Sequence, residues 1–173
     1  LKFIFLAPRF HTNQISWVEA LFEHGHEIEV NVLFKGCTEN YSLVDPTVFS
    51  PCKASKIVMN LFGTGGGNLY RGFPNPIYYF KSLMKSKADV IVVRDIGRWF
   101  SLLGAICARI LGIKIIIYSQ TSLHKNYSFK RKMAMKFLFK IFKAKWITPV
   151  LGDNSQEFIV PKKIFFVPFA VEI

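Results

Sequence analysis

The first 33 residues constrain the fold more than any other part of the sequence. Leu1–Ala7 is a short apolar run, and Pro8–Gln14 is polar. Ile15–His24 then has apolar residues at helical spacing, and Gly25 ends the predicted helix. Glu27–Leu33 alternates polar and apolar residues as a strand does. A strand, a loop, a helix and a strand in this order build a parallel sheet, whose ligands lie beyond the carboxyl ends of the strands.

The rest of the chain continues this alternation. Asp89–Val93 and Lys114–Tyr118 are β-branched runs typical of buried parallel strands. Trp99–Leu111 and Phe129–Lys143 have helical patterns, and Phe73–Pro76 is a predicted helix entry. Strands alternating with helices predict an α/β fold, a Rossmann-like doubly wound parallel sheet. We also predict a helix over Ile77–Met84 and strands within Tyr41–Phe49 and over Ile57–Phe62, Trp146–Val150 and Ile164–Val167.

Length and charge limit the class of protein. A chain of 173 residues with 51% apolar residues is expected to form one domain with a real core. The net charge of +12 predicts an anionic partner, which is a membrane surface, a phosphorylated ligand or a nucleic acid. No zinc finger, RNP or helix-turn-helix pattern supports a nucleic acid. The three cysteines lack metal spacing, so we expect a reducing, cytoplasmic location with no metal and no cofactor.

One predicted helix is strongly basic. No Asp or Glu occurs between Asp95 and Asp153, and a basic stripe runs beside an apolar row of Phe129, Met133 and Phe137 with Ile141. A wide apolar face beside a basic stripe is typical of a helix on an anionic bilayer. The alternative is that the helix packs on the sheet with its lysines in solvent. The predicted membrane-binding residues are Lys130, Arg131, Lys132, Lys136, Lys140 and Lys143.

Polar residues follow three of the predicted strands. The carboxyl ends of parallel strands meet at one edge of a sheet, so we expect these residues to converge there. Arginines bind phosphate oxygens, and amides and hydroxyls bind sugar hydroxyls. The predicted acceptor- or phosphate-binding residues are Arg9, His11, Asn13, Gln14, Arg94, Asp95, Gln120, Thr121 and Ser122.

The catalytic residues of this edge stay open. His11 and His124 can move protons near neutral pH, and Gln120 is the third candidate. The alternatives are that His11 braces its loop and that Arg94 and Asp95 form a structural ion pair. His24 and His26 flank a turn and are expected to be structural. The run GTGGGN lacks the Gly-Lys-Ser/Thr ending of a P-loop and is interpreted as a flexible loop.

Six segments, taken in chain order, resemble the N-terminal half of family 4 glycosyltransferases, which have the GT-B fold. They are LKFIFLAP, WVEALFEHGHEIEV, ADVIVVRD, GAICARILGIKIIIYSQTS, WITPVLGD and IFFVPFAV. The resemblance implies that residues 1–168 are the acceptor-side domain and that 169–173 begin a linker to a C-terminal donor-binding domain. It further implies retaining transfer of a sugar from a nucleotide-sugar donor to a lipid-linked (for example polyprenyl-linked) or cell-surface saccharide. The domain alone is then expected to be inactive.

Two departures from the family pattern bear on the site. Many relatives have a glycine pair in the first loop, whereas this loop is PRFHTNQ. Many also have a histidine where Gln120 stands, and Gln120 can hydrogen-bond but cannot shuttle a proton. The basic helix predicts a peripheral location on the inner face of the cell membrane. Two other functions stay open: a non-catalytic module that binds an anionic membrane or polymer, and half of a GT-B sugar-nucleotide epimerase.

Overall fold

The protein is built on one parallel sheet. A computed structural model describes residues 1–36, 41–62, 70–122, 127–151 and 164–168. Within these residues seven strands are arranged in the order β3-β2-β1-β4-β5-β6-β7, and every neighbouring pair is parallel. The strands are β1 Lys2–Ala7, β2 Glu27–Val32, β3 Thr47–Val48, β4 Val90–Arg94, β5 Lys114–Tyr118, β6 Lys145–Thr148 and β7 Ile164–Phe166.

Helices connect the strands. A 3-10 turn at Thr12–Gln14 leads into the first helix. Asn75 caps the third helix through its side chain, with Pro76 at the first helical position, where its missing N–H has no helical partner in any case. Gly112 ends the fourth helix in the left-handed conformation, with φ 74°. The helices are α1 Ile15–Glu23, α2 Lys53–Phe62, α3 Pro76–Ser86, α4 Trp99–Leu111 and α5 Phe129–Phe142.

The sheet is covered on both faces, which confirms the doubly wound prediction. Alternate side chains of a strand point to opposite faces. Phe5 therefore packs in the core beneath α1, with Val18, whereas Ile4 and Leu6 pack in the core beneath α3, α4 and α5. α4 packs close to the sheet at Gly104, which has no side chain. A Cβ added at this position would lie only 2.5 Å from the Leu6 side chain. The short loop between Arg94 and Trp99 places the start of α4 at the carboxyl edge of β4.

Most predicted elements are confirmed within two residues at each end, and the strand within Tyr41–Phe49 is the short β3. The strand predicted over Ile57–Phe62 is wrong, because these residues belong to α2. The helix begins at Lys53 and is anchored by the buried Ser55, whose hydroxyl accepts the Phe73 N–H at 2.8 Å. The apolar run was too short to distinguish strand from helix by its pattern alone.

Several smaller predictions can be placed. His24 donates from Nδ1 to the Ala20 carbonyl at 2.7 Å, and the His26 ring packs on Phe3, so both are structural. Cys52 and Cys107 are free thiols. The GTGGGN run and the linker 169–173 lie outside the described residues. None of the described helices combines the length and the apolarity required to cross a bilayer.

Candidate functional site

Three polar loops meet at the carboxyl edge of the sheet. β4 lies between β1 and β5 in one parallel array, with Leu6 opposite Val93 and Arg94 opposite Tyr118. The loops that follow these three strands therefore start side by side. The predicted convergence is confirmed in its geometry, whereas the binding roles of the residues stay predictions.

Arg94 joins two of these loops. Its guanidinium donates to the Arg9 carbonyl at 3.2 Å, and its Nε lies 3.6 Å from a carboxylate oxygen of Asp95. The side chain is only 13% exposed, and this burial lowers the pKa of Arg94, while the Asp95 charge opposes the shift. Arg94 thus holds the first loop against the end of β4, in addition to any contact with a ligand.

Asp95 organises the second loop. Its backbone has φ 50°, which is rare for a residue with a side chain, and its N–H donates to the Tyr118 carbonyl at 2.8 Å. Its carboxylate also accepts from Arg98 at 3.0 Å. Sequence reasoning missed Arg98, although the i, i+3 spacing from Asp95 signals such a pair. This ion pair holds the second arginine close to the loop, and the Arg98 Nε is buried without a hydrogen-bond partner among the described atoms.

The first loop is braced from within. His11 Nδ1 accepts the Asn13 N–H at 3.3 Å, so a neutral imidazole carries its hydrogen on Nε2 and is a donor there. This supports the bracing alternative, and it makes His11 a poor proton acceptor in this arrangement. Gln14, predicted as a ligand-binding residue, is only 1% exposed. Its Oε1 has no partner among the described atoms and lies below the surface of the loop.

The third loop exposes one amide side chain and is held by hydrogen bonds at the neighbouring residue. Gln120 is exposed, and Thr121 accepts the Arg131 guanidinium on its hydroxyl at 3.3 Å and the Thr148 hydroxyl on its carbonyl at 2.6 Å. Arg131, predicted to bind membrane, therefore contacts this loop, and its guanidinium also lies 5.0 Å from the centre of the Tyr127 ring. His124 lies outside the described residues.

The Ser122 carbonyl accepts the hydroxyl of Tyr127 at 2.5 Å. This bond ties the far end of the third loop to the start of α5. The Arg131 contact holds the neighbouring Thr121, and the Trp146 N–H bonds to Ser119 at the near end of the loop. Gln120 is therefore an exposed group on an anchored loop.

Aromatic side chains support the edge from below. Tyr118 packs edge-on against Trp17 at 4.9 Å between ring centres, and Trp17 Nε1 donates to the Pro168 carbonyl at 3.0 Å. Burial raises the pKa of Tyr118, which Arg94 and Gln120 oppose. Trp146 Nε1 donates to the Ser119 hydroxyl at 2.8 Å in the buried interior. The β-branched pattern of Lys114–Tyr118 predicted a buried strand, and the sequence gave no signal for the polar contacts of these aromatics.

Helix α5 places the second predicted site on the outer surface. Met135, Phe139 and Phe142 face the sheet, as the packing alternative requires. A second apolar row is nevertheless exposed to solvent: Phe129 by 78%, Met133 by 50%, Phe137 by 64% and Ile141 by 41%. Beside this row lie the exposed lysines Lys130, Lys132, Lys136, Lys140 and Lys143. The helix therefore presents apolar and basic side chains together.

Acidic and metal-binding groups are scarce around these surfaces. No cluster of three or more His, Cys, Asp or Glu that could hold a metal ion occurs among the described residues. No Asp or Glu occurs in α2, α3, α4 or α5. In the described part of the carboxyl edge, Asp95 therefore supplies the negative charge of the network with Arg94 and Arg98.

The fold matches one half of GT-B glycosyltransferases. Spinosyn forosaminyltransferase SpnP superposes with a TM-score of 0.55 at 15% identity, over 98% of this chain and 50% of that protein. The calicheamicin glycosyltransferase CalG4 superposes with a TM-score of 0.56 at 10% identity, over 98% of this chain and 53% of that protein. No protein-family model and no curated protein sequence matches the chain. The likeness establishes the fold, and the chain spans about half the length of both structures.

Proposed function

We propose that the chain is the acceptor-side half of a retaining glycosyltransferase, as the resemblance to family 4 implies. The observation that carries this proposal is the convergence of three polar loops at the carboxyl edge of β1, β4 and β5, in a fold shared with GT-B glycosyltransferases. The donor is a nucleotide sugar, bound mainly by a second domain. The acceptor is a lipid-linked or cell-surface saccharide, and a polyprenyl diphosphate saccharide suits the positive charge of the chain.

The proposed reaction exchanges one bond at the anomeric carbon of the donor sugar. The bond from this carbon to the diphosphate oxygen breaks, a bond to an acceptor hydroxyl oxygen forms, and the hydroxyl proton passes to an oxygen of the departing nucleotide diphosphate. Gln120 is exposed on its loop and can hydrogen-bond a sugar oxygen. The His11 ring would donate from Nε2 to an acceptor or phosphate oxygen, and the arginines of this edge supply positive charge.

Titration of the chain with a water-soluble farnesyl diphosphate-linked disaccharide tests acceptor binding. Gln120→Ala removes one exposed amide, and we expect about fivefold weaker binding, the equivalent of one hydrogen bond. Asn60→Ala is the matched control, because Asn60 is an exposed amide on α2. Equal affinity of the unaltered chain and the Gln120 variant would overturn the proposed role of Gln120. No binding by the unaltered chain would overturn the acceptor-side assignment.

We also propose that α5 docks this domain on an anionic membrane. The support is the exposure of an apolar row beside a row of lysines on a helix without acidic residues. In water, the exposed side chains of the apolar row bury no apolar surface. At a bilayer interface the same row enters the boundary of the acyl chains and is removed from water. Each lysine near the surface then contributes about 1 kcal/mol of attraction to anionic headgroups.

Flotation with vesicles tests the docking. We expect the chain to float with phosphatidylglycerol-containing vesicles and not with pure phosphatidylcholine vesicles. Phe137→Ser should weaken the binding, because it removes an exposed aromatic residue from the apolar row. Phe22→Ser is the matched control, since Phe22 is 63% exposed on α1, on the other face of the sheet. Failure to float with anionic vesicles would overturn membrane docking and leave the transfer proposal standing.

A further inference from the structure

A cavity lies at the amino edge of the sheet, opposite the candidate site. It has a volume of 350 Å³ and is formed where β4, β5 and β6 begin and where α4 and α5 end. Its size falls in the range of small-molecule sites. Neither the sequence patterns nor the structural relatives assign a ligand to it.

The walls of this cavity combine two kinds of surface. The apolar part is formed by Val90, Ile113, Ile115, Ile116 and Phe142. The charged part consists of Arg109, Lys114, Lys143 and Lys145, and none of the lining residues is acidic. Asp89, next to Val90 in the chain, accepts the Lys2 backbone N–H at 2.7 Å and so is bonded toward β1.

Two of the four cations have a structural explanation. Arg109 lies in the last turn of α4 and donates from Nε to the Ile141 carbonyl at 2.8 Å. Lys143 follows the last turn of α5. Cations at these positions offset the negative end of the helix dipole. Arg109 and Lys143 therefore do not by themselves indicate a ligand.

The other two cations lie outside the last turns of the helices, where the dipole effect is strongest. Lys114 and Lys145 are the first residues of β5 and β6, two residues beyond Gly112 and Lys143, which cap α4 and α5. No ion pair of the described part of the chain includes Lys114 or Lys145, although the Lys145 ammonium lies 5.7 Å from the centre of the Phe165 ring. Like charges around one cavity repel each other, and a bound anion removes this repulsion.

We propose that this cavity binds a phosphate group carried on an apolar body. A phosphate monoester carries up to two negative charges and several acceptor oxygens, which suits four surrounding cations better than a single carboxylate does. Inorganic phosphate would leave the apolar wall of the cavity in contact with water. An acyl or isoprenoid chain attached to the phosphate would cover this wall. The cavity also adjoins Ile141, the last member of the apolar row of α5. The proposal goes beyond the transfer reaction and does not depend on it.

The test compares three probes on the 173-residue chain by calorimetry: monomeric dihexanoyl phosphatidic acid, inorganic phosphate and dihexanoyl phosphatidylcholine. We expect the phosphatidic acid to bind about tenfold or more tightly than either of the others, as one charge-assisted contact implies. The variant Lys114→Gln/Lys145→Gln should lose about tenfold in affinity. The matched control is Lys81→Gln/Lys85→Gln, which removes two exposed lysines from α3 and should bind normally.

Each alternative result overturns a different part of the proposal. Equal binding of inorganic phosphate would show a site for a free anion and remove the apolar body. Equal binding of phosphatidylcholine would remove the requirement for net negative charge. Unchanged affinity in the Lys114/Lys145 variant would place the ligand elsewhere. A further variant, Lys143→Gly, also removes a charge from the cavity and keeps the left-handed backbone at that position.

Discussion

The two edges of the sheet use positive charge in opposite ways. At the carboxyl edge, Arg94 and Arg98 share the carboxylate of Asp95, and Arg131 is bonded to Thr121. At the amino edge, the cavity collects four cations without an acidic residue in its lining. The loops of the carboxyl edge provide their own partners, whereas the strand starts and helix ends that line the cavity supply cations alone. A charge network that is already satisfied orders loops, and an unsatisfied one favours a ligand.

The contrast between the two edges predicts that removing the charge of Asp95 at the carboxyl edge causes the largest loss of stability. Asp95→Asn keeps the size of the side chain and tolerates the left-handed backbone, yet it leaves two partly buried arginines without a counter-charge. We expect a loss of about 2 kcal/mol in the free energy of unfolding, measured with urea. Asp45→Asn is the control, because its ion pair with Lys35 is exposed and should contribute less than about 1 kcal/mol. Equal losses in the two variants would contradict the contrast.

A second change tests the buried support of the same edge. Ser119→Ala leaves the Trp146 Nε1–H without its acceptor in the interior, and we expect a loss of about 1 to 2 kcal/mol. A double-mutant cycle with Trp146→Phe isolates this hydrogen bond. In the Trp146→Phe background the Ser119→Ala change should cost little, since the donor is already absent. An undiminished cost there would show that the serine acts through other contacts.

At the amino edge, we expect a substitution that removes a cation to increase stability. Lys143 has φ 49°, a conformation that is unfavourable for a residue with a Cβ, and Lys143→Gly should raise the free energy of unfolding by about 1 kcal/mol. Lys140→Gly removes the same charge from the body of α5 and should lower stability by about 1 kcal/mol. Thermal unfolding of the two variants in parallel measures both effects. Destabilisation by Lys143→Gly would mean that its side chain is required at that position.

The smallest expected effect concerns the part of the amino edge that does have partners. The Lys2 ammonium lies 2.7 Å from carboxylate oxygens of Glu27 and Glu29, and these hydrogen bonds raise the pKa of Lys2 above 10.5, with burial opposing. A raised pKa in the folded state means stability that is full below pH 10.5 and is lost as pH rises through the higher folded value.

Because both carboxylates are substantially exposed, Lys2→Met should cost only about 0.5 kcal/mol at pH 8. The difference from the unaltered chain should shrink above the folded pKa of Lys2. Urea unfolding at a series of alkaline pH values measures this. A difference that stays constant with pH would show that the ion pairs do not contribute.

Sequence reasoning worked where local patterns carry the information. The β-branched runs of β4 and β5 and the helical spacing of α4 and α5 gave their positions within one residue. It failed at Ile57–Phe62, where the buried Ser55 fixes a helix through a contact with Phe73, eighteen residues away. The ligand role of Gln14 stays a prediction, and only the structure shows that this side chain is buried.

The amino-acid sequence by itself determined the parallel α/β fold, the loops that follow β1, β4 and β5, and the basic and apolar rows of α5. These features arise from period and composition, which are properties of neighbours along the chain. Only the tertiary structure decided that Arg94 bonds to the Arg9 carbonyl, that Trp146 bonds to Ser119, and that four cations from two strand starts and two helix ends surround one cavity. Such contacts depend on the register and crossing of elements far apart in the chain, and no local pattern encodes them.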